Sequence, residues 1–460
     1  MSILKGYCVP HPPLIIPEIG DGLEKDIIAT SKAYTKIAKE IAQLAPDTII
    51  ISSPHTTVYG DYFHISPGDS ASGSFERFHH PEIQLNVDYD TELIGSIISL
   101  ASTLDFPVST HGERDAELDH GTMIPLYYVN KFYKNYKIIR IGISGLSLMD
   151  HYSLGKIIRS VIPRKQKVVW IASGDLSHKL KEDGPYGFAE EGPVYDREVT
   201  KILADGNFYE LLKFKSDFCN KASECGLGSF TMMAGAFDGY TVEPKLLSYE
   251  GPFGVGYALA SFKPLRYSDD REFARTYKER EDRQFRNKRM DEDEYITLAR
   301  AALEYYINNH QELAIPKETS NELLKNKAGV FVSLYINSNL RGCIGTISPT
   351  TNSIAEEIIQ NTVSAGTRDY RFNKVRANEL ERIEYSVDIL KPAKAIKSKE
   401  ELDVKKYGLI VRSGKRSGLL LPNITGINTI DEQIRIAKRK AGIRDQEDCK
   451  MERFEVIRHK

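Results

Sequence analysis

Two apolar runs rich in β-branched residues, Thr48–Ser53 and Lys167–Ser173, limit what this chain can fold into more than any other feature. Both are continuous rather than alternating, the pattern of strands covered on both faces, as in a sheet with helices on either side. The first closes on Ser53-Pro54-His55, where the proline has no N–H to give to a ladder. The second leads directly into Gly174-Asp175-Leu176-Ser177-His178. Near the amino terminus His11 stands in Tyr7-Cys8-Val9-Pro10-His11-Pro12-Pro13, again after a short apolar run and beside proline. Loops beyond the carboxyl ends of strands form the ligand crevice of open α/β sheets, so three histidines are expected at one crevice. A fourth, His120 in Leu118-Asp119-His120-Gly121-Thr122, precedes the apolar stretch Met123–Val129, whose proline predicts the start of a helix. One such histidine is more often structural than functional, but four of the chain's eleven in these settings predict a shared polar site.

The chain has 460 residues, more than one hydrophobic core of about 250–300 residues usually spans, so at least two domains are expected. The boundary is visible after Phe262-Lys263-Pro264-Leu265, where alternating charges from Asp269 to Arg283 leave few large aliphatics. Residues 1–265 are expected to form an α/β domain, 266–289 a charged linker with the option of a helix held by i,i+4 pairs, and 290–460 a smaller α+β domain. In the last part, Leu298, Ala301, Ala302, Leu303, Tyr305 and Tyr306 recur at helical spacing. Val330–Ile336, the turn Asn337-Ser338-Asn339 and Leu340–Thr346 read as a hairpin, whose Gly342 and Gly345 imply a bulge or a close backbone approach. Cys343 lies two residues from Arg341, which opens two readings: a thiol whose pKa is lowered by a cation, or an inert cysteine buried in a strand.

No stretch approaches the ~18 apolar residues of a membrane span, and the amino terminus lacks the apolar segment of a secretory signal. Five scattered cysteines do not make a disulfide framework, so a reducing cytoplasm is the expected compartment. From Lys288 onward 30 Lys+Arg stand against 25 Asp+Glu, and before it 32 against 39, too mild an asymmetry for nucleic acid or an anionic membrane as partner. Nothing in the sequence excludes a homo-oligomer.

The strings PHPP, SSPH, LDHG and SGDLSH, in that order, resemble the class III extradiol dioxygenases and the related Memo proteins over about residues 1–265. The resemblance implies a mixed central sheet flanked by helices, with a metal at its edge. It implies Fe(II) bound by His11, His55 and a glutamate, His178 as acid/base, His120 as a hydrogen-bond donor, and a small catecholic substrate with dioxygen. Two imidazoles and one carboxylate leave adjacent open positions on iron for substrate and dioxygen together. Three residues compete as third ligand. Glu224, at the head of the apolar stretch Phe230–Phe237, matches the dioxygenases and is preferred; Cys225, followed by Gly226, matches Memo proteins; Glu250 lies before a glycine-rich turn. A carboxylate favours iron or manganese, and a thiolate tilts the site toward copper or zinc.

Residues 290–460 resemble the AMMECR-type domain, whose most characteristic string is Leu340-Arg341-Gly342-Cys343-Ile344-Gly345-Thr346, with Arg368-Asp369-Tyr370-Arg371-Phe372 in support although the family usually has proline at the place of Tyr370. The fusion resembles the AmmeMemoRadiSam system, which implies a radical S-adenosylmethionine protein as partner. Under that alternative the chain holds metal or presents substrate and turns over nothing alone.

Overall fold

The computed structural model describes residues 2–112, 117–336, 339–424 and 426–460, so Asn337 and Ser338 of the expected hairpin turn lie outside the described residues. The chain divides into two compact units, Met1–Arg280 and Glu281–Lys460.

The first unit is an α/β fold around a six-stranded mixed sheet. Its strands lie in the order Lys137–Gly142, Thr48–Ser53, Val168–Ser173, Ile3–Val9, Tyr257–Tyr267, Tyr240–Glu250. The first four are parallel and the last two antiparallel. Every residue of Thr48–Ser53 and Val168–Ser173 is buried, because helices cover both faces. Strand alternation separates the two layers: Lys5 and Tyr7 bond Glu40 of the helix Ile28–Leu44, while the Cα of Gly6 faces Met233 and Phe237 at the end of the helix Leu227–Ala236. Register pairs Val9 with Ser173 and Ser52 with Ala172, so the carboxyl ends of three adjacent strands finish level with one another.

The charged segment after the sheet is helical over Phe273–Met290. Its first turn is not linker in character, since Phe273 and Ala274 are buried in the core of the first unit. Along its polar remainder Arg275 pairs with Glu279 at 3.8 Å.

The second unit is α+β. One antiparallel sheet runs Asn339–Gly345, Val330–Ile336, Glu384–Leu390, Val456–His459, with the helices Glu294–Asn309 and Ile354–Thr367 against it. A second runs Lys394–Ile396, Lys450–Phe454, Gly408–Ser413, Arg416–Leu420, packed on the helix Ile430–Lys440. Among the described residues no helix is long and apolar enough to cross a membrane.

Candidate metal centre

The carboxyl ends of three neighbouring strands and the starts of two helices build the site. His11 follows Ile3–Val9, His55 follows Thr48–Ser53, and Asp175 and His178 follow Val168–Ser173. His120 is the first residue of the helix His120–Asn130, capped by Asp119, which accepts the Thr122 N–H at 3.0 Å. The rings of His55 and His120 are 4.1 Å apart, and those of His11 and His55 are 4.6 Å apart.

Pro125 does not begin its helix, as expected from sequence, but lies inside it. Lacking an N–H, it leaves the carbonyl of Gly121 without its helical donor. The Ser173 hydroxyl donates to that carbonyl at 2.6 Å. With its one proton committed there, Ser173 Oγ accepts from His11 Nδ1, 3.0 Å away. When the His11 ring carries a single proton, Nδ1 therefore holds it, and Nε2 offers a lone pair. That lone pair faces His55 Nε2 at 2.9 Å and Cys225 Sγ at 3.6 Å, in a buried position.

These spacings suit one transition-metal ion. Two nitrogens ~2.1 Å from an ion at a right angle are ~3.0 Å apart, and a sulfur at ~2.3 Å is ~3.6 Å from a nitrogen at the tetrahedral angle. Among the described residues two groups offer three ligand atoms within 4.8 Å of one another: His11, His55 and Cys225, and Asp175, His178 and Cys225.

Glu224, the preferred third ligand, belongs to neither group. Its half-buried carboxylate accepts the Leu227 N–H at 2.7 Å and the Tyr195 hydroxyl at 3.1 Å, at the amino end of the helix Leu227–Ala236. Burial holds its pKa above the ordinary value. Glu250 is also spent elsewhere, accepting the Thr30 N–H at 2.7 Å and hydroxyl at 2.6 Å near the start of the helix Ile28–Leu44. Cys225 is the candidate that reaches the imidazoles. The backbone brings it there: a Cβ on Gly174 would lie 2.1 Å from Gly226 Cα, so the loops after the strand and before the helix meet through two glycines.

Electrostatics keep His55, His120 and the Cys225 thiol uncharged. Burial first, then the neighbouring imidazoles, push His55 down to about 3, and burial with His11 pushes His120 down to about 4. Burial, reinforced by Asp175, pushes the Cys225 thiol up, so its thiolate needs a cation. Burial would also raise Asp175, but His11 and His178 outweigh it and hold that carboxyl below its usual range. Asp175 Oδ1 accepts the His11 N–H at 2.8 Å, and Oδ2 lies 3.9 Å from His178 Nε2. The His178 ring sits 5.0 Å from that of Tyr186. Below the site Asp119 accepts from Arg140 at 2.8 Å and from Ser53 Oγ at 2.7 Å, which ties the strand end before His55 to the helix of His120. Burial opposes the charge on Asp119, yet Arg140 holds its carboxyl down at about 2.

Ser173, Asp175, Asp119 and Arg140 escaped assignment from sequence. Asp175 stood two residues past a strand, and an arginine inside the apolar run Lys137–Gly142 demanded a buried partner.

In the second unit the lowered-pKa reading of Cys343 is reversed. Arg341 is committed to Glu379 at 2.7 and 3.0 Å and to the Asn373 carbonyl at 2.8 Å. Burial pushes the Cys343 thiol up, while Ser333 Oγ donates to its sulfur at 3.2 Å. Gly342 is needed because a Cβ there would lie 2.2 Å from the Ala365 carbonyl oxygen.

Comparison with known proteins agrees with this architecture. The family described as the catalytic LigB subunit of aromatic ring-opening dioxygenase matches residues 5–260, and the AMMECR1 family matches residues 296–459. A protein of Clostridium acetobutylicum is 41% identical over 469 residues, covering 100% of both chains. A protein of Thermotoga maritima is 44% identical over 173 residues, 37% of this chain and 99% of its own. Among solved structures, an uncharacterized protein of Pyrococcus horikoshii is 31% identical with a TM-score of 0.34, covering 36% of this chain and 88% of that one. An uncharacterized protein of Escherichia coli K12 is 15% identical with a TM-score of 0.40, covering 56% and 99%. With more than half of its length matched, the chain belongs to the LigB family of aromatic ring-opening dioxygenases, with an AMMECR1 domain fused behind the LigB domain.

Proposed function

We propose that the LigB domain holds one transition-metal ion through His11 Nε2, His55 Nε2 and Cys225 Sγ and acts as an oxidoreductase on a catecholic substrate, opening the ring beside one hydroxyl with dioxygen. The observation that supports it is the relay from Pro125 through Gly121 and Ser173, which aims the buried His11 Nε2 at His55 and Cys225. The family is typically metal-dependent. A bound ion supplies Lewis acidity and open positions for substrate oxygens. His178 takes the proton of a substrate hydroxyl and later returns it, and Asp175 Oδ2, 3.9 Å away, stabilises the imidazolium in between. His120, kept neutral by burial, presents a ring N–H to a substrate oxygen. Tyr186 offers an aromatic face beside His178.

The test is a panel of catechols offered under air to iron-loaded protein, with ring-opened product followed by absorbance. Activity is expected, and His178→Ala should keep the tightly bound ion while losing about 10²–10⁴-fold in rate. An untouched panel, or loss of that ion with the histidine, refutes the assignment.

One feature favours a second reading. A sulfur ligand where the dioxygenases carry a carboxylate suits copper or zinc better than iron, and a thiolate beside dioxygen is open to oxidation. On that reading the chain is a metal-holding or substrate-presenting component that works with a radical S-adenosylmethionine protein. A reducing cytoplasm suits either reading, since all five cysteines are free. Metal analysis of anaerobically purified protein separates them: stoichiometric iron supports ring opening, and copper, zinc or metal-free protein supports the second.

A further inference from the structure

Cys225 is shared by the two groups of ligand atoms. The second group does not resemble an ordinary hydrogen-bonded dyad. Asp175 Oδ2 and His178 Nε2 are 3.9 Å apart, too far for a direct hydrogen bond, yet inside the ~4.1 Å that an oxygen at ~2.0 Å and a nitrogen at ~2.1 Å can span across one ion. Asp175 is held in place for this: its other oxygen is fixed by the His11 N–H at 2.8 Å, and its own N–H donates to Cys225 Sγ at 3.2 Å. The carboxylate thus stands between the two imidazoles, with Oδ2 also 3.9 Å from His11 Nε2.

We infer that Asp175, His178 and Cys225 form a second divalent-cation site, which shares the Cys225 thiolate with the site of His11 and His55 and, when filled, withdraws His178 from proton transfer. This rests on the metal-site reading above. A thiolate sulfur keeps further lone pairs after binding one ion, so it can bridge two. The oxygen, nitrogen and sulfur donors suit borderline ions such as Zn²⁺ or Co²⁺.

Charge decides the order of filling. Asp175 and the Cys225 thiolate together carry two negative charges, which the first divalent ion neutralises. A second brings an uncompensated double charge into a mostly buried place, so it binds at least about tenfold more weakly. At low metal His178 is free to carry protons; at high metal it is a ligand.

The experiment titrates metal-free, reduced protein with Co²⁺ under anaerobic conditions, following cobalt per chain by equilibrium dialysis and sulfur-to-cobalt absorption. Wild type should take up two Co²⁺ in two phases. His178→Ala, and its size-matched twin His178→Gln, should stop at one, and His55→Ala should also stop at one, now held by Asp175, His178 and Cys225. One Co²⁺ in wild type, unchanged by either His178 variant and lost with His55→Ala, overturns the second site and leaves the first standing. One Co²⁺ lost with His178→Ala but kept by His55→Ala supports the second site and refutes the first. No uptake by folded wild type overturns both.

Discussion

Gly174→Ala tests what holds Cys225 at the imidazoles. The added carbon would lie 2.1 Å from Gly226 Cα and 3.0 Å from Gly226 N. Non-bonded carbons settle at about 3.5–4.0 Å, so the two loops must part by roughly 1.5 Å. Both atoms at the contact are backbone, so no change of rotamer absorbs the clash. Moved that far from His11, Cys225 Sγ goes from 3.6 Å to about 5 Å of Nε2, past the ~4.4 Å that one ion can bridge between sulfur and nitrogen. Overpacking of this kind costs about 1–3 kcal/mol, which leaves the domain folded. The expected result is a folded protein whose affinity for its first ion drops at least about 100-fold, by analogy with losses on disturbing a metal's surroundings. Competition against a chelator under anaerobic conditions measures the affinity, and thermal unfolding of the metal-free form measures the fold. Wild-type affinity in the folded variant would refute the reasoning, because the glycine contact would then not set the position of the thiol.

Other outcomes follow from the same geometry. Ser173→Ala removes the acceptor that keeps the proton on His11 Nδ1, and should weaken ion binding about 10–100-fold in the same competition assay. Glu224→Gln should leave ion content unchanged, since that carboxyl serves Leu227 and Tyr195; loss of the ion would return it to the ligand set. Glu250→Gln should also keep the ion but lower stability by about 0.5–2 kcal/mol in urea unfolding, through weaker capping at Thr30. The metal-free protein should lose stability as pH falls from about 6.5 toward 3 or 4. Below 6.5 the unfolded chain takes up protons at His55 and His120, whereas the folded chain holds those rings neutral down to about 3 and 4. A denaturation midpoint that is flat between pH 7 and 5, or rises on acidification, contradicts those environments.

The residues themselves determined the sheet and the convergence of the histidines. Continuous β-branched runs can bury both faces only between helix layers, and a proline or glycine just past each run ends the ladder, which commits His55 and His178 to the same edge; His11 joins them after its own apolar run and proline. The hairpin around Gly342 was equally legible, because a glycine in a strand marks close approach, here to Ala365. Which of two adjacent side chains, Glu224 or Cys225, faces the imidazoles was not legible. Neighbours at the start of a helix point in different directions, and the choice depends on how the turn is rotated about its axis. That rotation is decided by the contact of Gly174 with Gly226, 52 residues apart in the chain, and by the Leu227 N–H and Tyr195 hydroxyl that claim the glutamate. The tautomer of His11 likewise depends on a carbonyl freed by Pro125 and a hydroxyl on another strand. Local sequence can specify the donors, but their aim is set by hydrogen bonds and backbone contacts between distant segments, which only the folded chain brings together.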